Sequence, residues 1–144
     1  MQPEVADYLV ELRPSIFVLD CLPNMNAAMV QQRASPLFKQ LREGLGPNVP
    51  ILVLEGHTYS NAWVLPSIKE GQDAKRAAQK AAFIQAAKSD QHIHYVEGDG
   101  KLASLGDGQY DATSGIGVHP SNIAHYRIGK YVASQIKALP DWEM

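Results

Sequence analysis

Cysteine is almost absent from this chain of 144 residues. Cys21 is the only one, so no intrachain disulfide can form. A lone cysteine also leaves no ligand set for a cysteine-based metal centre, and neither a metal nor a cofactor is expected. No apolar run is long enough to cross a bilayer. An excess of one charge is missing too: 13 Lys and Arg stand against 15 Asp and Glu, a formal net charge of −2. Nothing in that balance draws the surface toward nucleic acid or an anionic membrane. The basic residues are not interleaved with aromatics in any run, which removes the usual footprint of a nucleic-acid binder. Met1-Gln2-Pro3-Glu4 has neither the basic nor the apolar region of a secretory signal, so a cytoplasmic protein is the default expectation.

What is present suits a globular domain. The chain is 45% hydrophobic and 19% charged, and its length can enclose a sizeable core, so residues 1–144 are expected to form a single α/β domain. Val5, Tyr8, Leu9 and Leu12 have the spacing of a short amphipathic helix over Pro3 to Leu12. Ile16-Phe17-Val18-Leu19 reads as a parallel strand buried on both faces, broken by Pro23 and Asn24. Helical spacing resumes at Met25. Ser35-Pro36 then resembles an N-cap with proline at the first helical position, which opens a further stretch through Leu37, Phe38, Leu41 and Leu45.

Ile51-Leu52-Val53-Leu54 is a second buried strand, ending at Glu55-Gly56-His57. An alanine-rich helix is expected from about Ile68 to Lys88, with Ala74, Ala77, Ala81 and Ile84 on its apolar side. His92 to Val96 reads as a third strand, and a glycine-rich loop leads from Gly98 to Gly117. The last helix starts near Ser121 and aligns Ala124, Ile128, Val132, Ile136 and Leu139. This alternation predicts a parallel sheet with right-handed crossovers and helices on both faces. Function in such sheets sits at the carboxyl ends of the strands. Those ends are Asp20 to Asn24, Glu55 to Asn61, and the loop before His119.

Two residues at these ends have side chains suited to acyl transfer, which needs a nucleophile, a base, a group orienting the base, and donors for the oxyanion. His119, in Gly117-Val118-His119-Pro120 ahead of a helix, is a candidate base; its plainer reading is a capping or surface histidine. Asn24, just past a strand, can donate to an oxyanion; its plainer reading is an Asx-turn residue.

Three blocks then carry a resemblance. Asp20-Cys21-Leu22-Pro23-Asn24-Met25, Glu55-Gly56-His57-Thr58-Tyr59 and Gly117-Val118-His119-Pro120-Ser121-Asn122, in that order, resemble the SGNH (GDSL-like) hydrolase family. The resemblance implies a three-layer flavodoxin-like α/β fold with a parallel sheet, and a carboxylic-ester hydrolase acting on short-chain acyl or acetyl esters. Carried over, Asn24 is the oxyanion-hole asparagine and His119 the catalytic base, while Glu55, His57 and Tyr59 line the site.

The family pattern also has a Gly-Asp-Ser block with the nucleophile after the first strand, a glycine donor after the second, and an aspartate three residues before the histidine. The first two blocks do not occur here, so the fold is expected to be truncated at its N-terminus. The third position is Ile116, with Asp111 further up the loop as a substitute. Ser60, Ser114 and Ser121 are nucleophile candidates by location alone, outside any Gly-x-Ser-x-Gly elbow. Cys21 reads most simply as a small apolar residue beside a strand. An apolar Ile16–Leu19 strand without its neighbour is an open edge, so a homo-oligomer through it is expected, most simply a two-fold dimer. The alternative function is a non-catalytic, degenerate fragment acting as a binding or interaction module. A nucleotide-binding role has no support, because no phosphate-binding glycine loop leads from a strand into a helix.

Overall fold

A computed structural model describes residues 1–98 and 118–140. Its elements are α1 (Pro3–Glu11), β1 (Phe17–Leu19), α2 (Ala27–Leu45), β2 (Ile51–Leu54), α3 (Pro66–Ala86), β3 (Ile93–Val96) and α4 (Asn122–Lys137). Short 3-10 turns over Leu22–Asn24 and Ser60–Trp63 follow the first two strands. The sheet is small, with order β1-β2-β3, and β1 runs parallel to β2 in the register Phe17↔Ile51, Val18↔Leu52, Leu19↔Val53. The chain divides into two compact units. One comprises Met1–Glu55 and Asp73–Tyr95; the other takes Gly56–Gln72 and the described residues from Val96 onward.

The first unit is organised by β2. All four of its residues are buried, as a continuous apolar run with a neighbouring strand on each side requires. Ile51 and Val53 join a cluster with Phe17, Leu19, Val30, Ala34, Leu37, Phe38 and Leu41. Strand alternation turns Leu52 and Leu54 to the opposite side. β1 departs from its sequence expectation of burial on both faces: Phe17 and Leu19 are buried, but Val18 is 39% exposed. As the strand at the end of the row, β1 alternates in the way of a half-covered strand.

α2 departs in another way. It runs unbroken from Ala27 to Leu45, with Pro36 inside it. Its N-cap is Asn26, whose side chain accepts from the Met29 N–H at 2.9 Å, so Ser35 is not the cap. Pro36 deprives the Gln32 carbonyl of its helical donor, but both residues face solvent and water can replace that bond. The inward stripe Val30, Ala34, Leu37, Phe38 and Leu41 continues across the proline, and its burial outweighs a defect of about 3 kcal/mol. At the helix end Arg42 ties three segments together: its guanidinium donates to Asp90 Oδ2 at 2.7 Å and to the Gly46 and Val49 carbonyls.

α3 has the predicted extent with a different rotational phase. Ala74, Ala77, Ala81 and Ile84 are exposed. The half-buried apolar side is Ala78, Ala82, Phe83 and Ala86, with the Phe83 ring 5.1 Å from that of Tyr95. Phe83 sets the phase because alanines spread around a helix favour no side strongly. N-terminal to this apolar strip the buried residues are polar: Gln72, Lys75, Arg76 and Gln79.

α1 packs on α2 through Ala6, Leu9 and Val10, and Gln40 Nε2 donates to the Pro3 carbonyl at 2.9 Å. A Cβ on Gly44 would lie 2.6 Å from Val10 Cγ1, on a β-branched side chain with little freedom to rotate. Gly44→Ala is therefore expected to destabilise by about 1–2 kcal/mol in urea denaturation, overpacking exceeding the gain in helix propensity. In a Val10→Ala background the same change should be neutral or stabilising. Equal effects in the two backgrounds would contradict this contact.

Candidate active site

Asn24 closes the turn that follows β1. Leu22, 1% exposed, anchors that turn in the core, and the Met25 N–H bonds back to the Leu22 carbonyl at 3.1 Å. The Asn24 side chain is exposed and makes no hydrogen bond among the described residues. Its plainer reading as an Asx-turn residue is therefore not met, and the local side-chain-to-backbone bond belongs to Asn26 instead. Beneath the turn, Lys75 Nζ lies 3.4 Å from the Pro23 carbonyl, to which it donates. Burial pushes the Lys75 pKa down, and the positive charge of Arg76 lowers it further.

Cys21, in the same segment, is half-buried against the core cluster. Burial pushes its thiol pKa up, with a smaller contribution in the same direction from Asp20. Its environment is that of a packing residue and not of an activated nucleophile.

Glu55 ends β2 and is 8% exposed, accepting from the Tyr95 hydroxyl at 2.9 Å. That bond joins β2 to β3, which gives Glu55 a structural role within the first unit. Gly56 follows with φ +81°, a backbone region open to glycine at little cost, and turns the chain out of the strand.

In the second unit, the segment after this turn is held by one side chain. Gln72, 4% exposed near the start of α3, donates from Nε2 to the His57 carbonyl and accepts the Tyr59 N–H on Oε1, each at 3.2 Å. The Tyr59 ring lies against the His57 ring, with centroids 5.3 Å apart and planes tilted by 53°. His57 is 8% exposed, and its Nε2 is 2.8 Å from the Val118 carbonyl. A carbonyl only accepts, so Nε2 carries the proton and donates.

Val118 leads directly into His119. The α4 N-cap is Ser121, whose Oγ accepts from the Ala124 N–H at 3.3 Å, so His119 is not the helix cap. His119 is exposed two residues ahead of that cap, and its ring makes no hydrogen bond among the described residues. Behind it Ala124 is buried, and Ile128, Val132, Ile136 and Leu139 are half-buried, as their spacing predicts.

Asn24 belongs to the first unit and His119 to the second. Ser60 opens the 3-10 turn over Ser60–Trp63 and is half-buried. Asp111, Ser114 and Ile116 lie outside the described residues. Among the described residues no group of His, Cys, Asp and Glu could hold a metal ion, and no helix is long and apolar enough to cross a membrane. Sequence reasoning missed Gln72 altogether. The signal open to it was a glutamine at the start of an otherwise alanine-rich helix, close behind the Glu55–Tyr59 block.

Strands alternating with helices around a small parallel sheet define an α/β fold, and comparison with known proteins narrows it. The model of the GDSL-like lipase/acylhydrolase family matches residues 1–137, and the chain belongs to that family. Among solved structures it is similar to a protein from Bacteroides ovatus ATCC 8483 described as a GDSL-like lipase. That likeness has a TM-score of 0.78 and 22% identity, and covers 95% of this chain and 39% of the other. It is also similar to the salicylyl-acyltransferase SsfX3 from a tetracycline biosynthetic pathway, with a TM-score of 0.71 and 16% identity, over 96% of this chain and 42% of the other. The chain thus spans about two-fifths of the length of these structures, and at such identities they speak for the fold alone. No curated protein matches it.

The raised thiol pKa makes Cys21 a slow nucleophile. At about pH 8, iodoacetamide should alkylate it more slowly than a free thiol, with the rate climbing only above the ordinary thiol range. A rate equal to that of glutathione would show the thiol to be unburied.

Proposed function

We propose that the chain serves a carboxylic-ester hydrolase of short-chain acyl or acetyl esters, with His119 as general base and Asn24 as oxyanion donor. The observation that carries this reading is the pair of exposed, uncommitted side chains in segments whose backbones are held firmly. His119 takes the proton of a serine hydroxyl as the serine oxygen attacks the ester carbonyl. Asn24 donates to the oxyanion of the tetrahedral intermediate. Collapse breaks the bond to the alcohol oxygen, which leaves with the proton from His119. Water, deprotonated by the same imidazole, then attacks the acyl-enzyme and releases the acid.

Ser60, Ser114 and Ser121 are the candidates for the serine by location, Ser121 also accepting as the α4 cap. Labelling with a fluorophosphonate followed by mass spectrometry distinguishes Ser60 from Ser114 and Ser121. Hydrolysis of a short-chain p-nitrophenyl ester tests the whole reading. His119→Ala should lower kcat by about 100-fold or more, and Asn24→Ala by about 100-fold. Equal rates for the wild type and His119→Ala would sink the esterase and favour a non-catalytic module.

Assembly is part of the same proposal. Among the described residues β1 pairs with β2 alone, and Val18 is exposed beside its apolar neighbours, so a second copy can add along the other edge as a two-fold dimer. Light scattering should give a dimer at micromolar concentration and a monomer for Val18→Lys. A monomeric wild type would refute it.

A further inference from the structure

Family resemblance leads one to expect an aspartate three residues before the base, to orient the imidazole. In this chain that position is isoleucine, whose side chain accepts no hydrogen bond. Among the described residues, restraint on His119 comes through the backbone that carries it. The peptide joining Val118 to His119 has one conspicuous partner. Its carbonyl accepts from His57 Nε2 at 2.8 Å, across 61 residues of sequence, from a ring that is itself 8% exposed. A bond at this carbonyl limits rotation on both sides of the peptide, and hence the direction in which the His119 side chain leaves the chain.

His57 can act in this way only if it is held itself. Its own segment is irregular backbone after β2. Gln72 holds it at two points. One buried amide bridges residue 57 through its carbonyl and residue 59 through its N–H, the two bonds that a neighbouring strand would make. Tyr59 closes the arrangement by packing its ring on the imidazole. Because Gln72 lies in the first turns of α3, the restraint runs from a long helix through a side-chain amide to a loop. From the loop it passes through an imidazole to the His119 peptide.

We infer that His57 is a positioning residue for His119, and that Gln72 acts through it by clamping the 57–59 segment. The inference rests on the proposed role of His119 as base. It gives His57 a task different from lining the substrate site: its donor is spent on the backbone, and its ring is buried. It also explains how an exposed imidazole can be aimed without a hydrogen bond to its own ring among the described residues.

The test compares His57→Phe, His57→Gln and Gln72→Leu, alone and as the His57→Phe/Gln72→Leu pair, by ester hydrolysis and by 13C NMR of the Val118 carbonyl and His119 Cε1. His57→Phe should lower kcat by about 10- to 100-fold, with KM changed by less than about threefold. His57→Gln, which keeps a donor, should recover most of the loss. The pair should be no worse than His57→Phe alone, because the two residues act in series. In His57→Phe the Val118 carbonyl resonance should move upfield and His119 Cε1 should shift, with both restored in His57→Gln.

A hydrolysing wild type whose kcat and Val118 resonance are untouched by His57→Phe overturns the inference. So does a loss that His57→Gln shares in full, or additive losses in the pair. If the wild type does not hydrolyse esters, the esterase reading falls by itself; the two resonances still decide the positioning, upheld if they move and recover, overturned if they stay. Should His57→Phe fail to fold, Gln72→Leu and His57→Asn, whose shorter side chain cannot reach Val118, carry the same readouts.

Discussion

Burial of β2 on both faces is the constraint from which the rest of the first unit follows. A strand with no solvent-facing side must have a neighbour on each edge and helices above and below, and its chain can leave only at its ends. β1 and β3 supply the edges. The stripe of α2 and the apolar end of α3 cover the side that carries Ile51 and Val53. With apolar burial contributing about 25 cal/mol per Å², a run of four fully enclosed aliphatic residues dominates any local preference nearby. That dominance is visible in α2, where a proline in mid-helix is carried along by the packing around it.

The segments proposed to act are each held at a defined point of the backbone. Leu22 pins the turn that presents Asn24, Gly56 lets the chain leave β2, and Ser121 caps the helix ahead of which His119 stands. At Asn24 and His119 an apolar anchor or a cap holds the backbone, and the side chain is left without a bond among the described residues. Free side chains on held backbones are what acyl-transfer chemistry requires of a base and an oxyanion donor.

Much of this was legible in the residue pattern. The Ile51–Leu54 run, the helix behind Ser121 and the three family blocks all rest on local signals: apolar continuity, spacing and a cap. Other features were not. The buried side of α3 was misjudged because alanine is apolar yet small, so that Phe83, and not the alanines, decided which side turned inward. Val18 looked buried because its type matches its neighbours, although only a partner on its far edge and a cover on its face could make it so.

By itself, then, the sequence determined the alternation of strands and helices and the family. Those depend on side-chain type and spacing, which a linear pattern records. The tertiary structure alone decided the roles of His57 and Gln72. The bond from His57 to Val118 and the two bonds from Gln72 join residues 61, 15 and 13 positions apart, and none leaves a trace in local periodicity. Hydrogen bonds are short-ranged in space and indifferent to separation along the chain, so only the folded backbone brings their partners within reach.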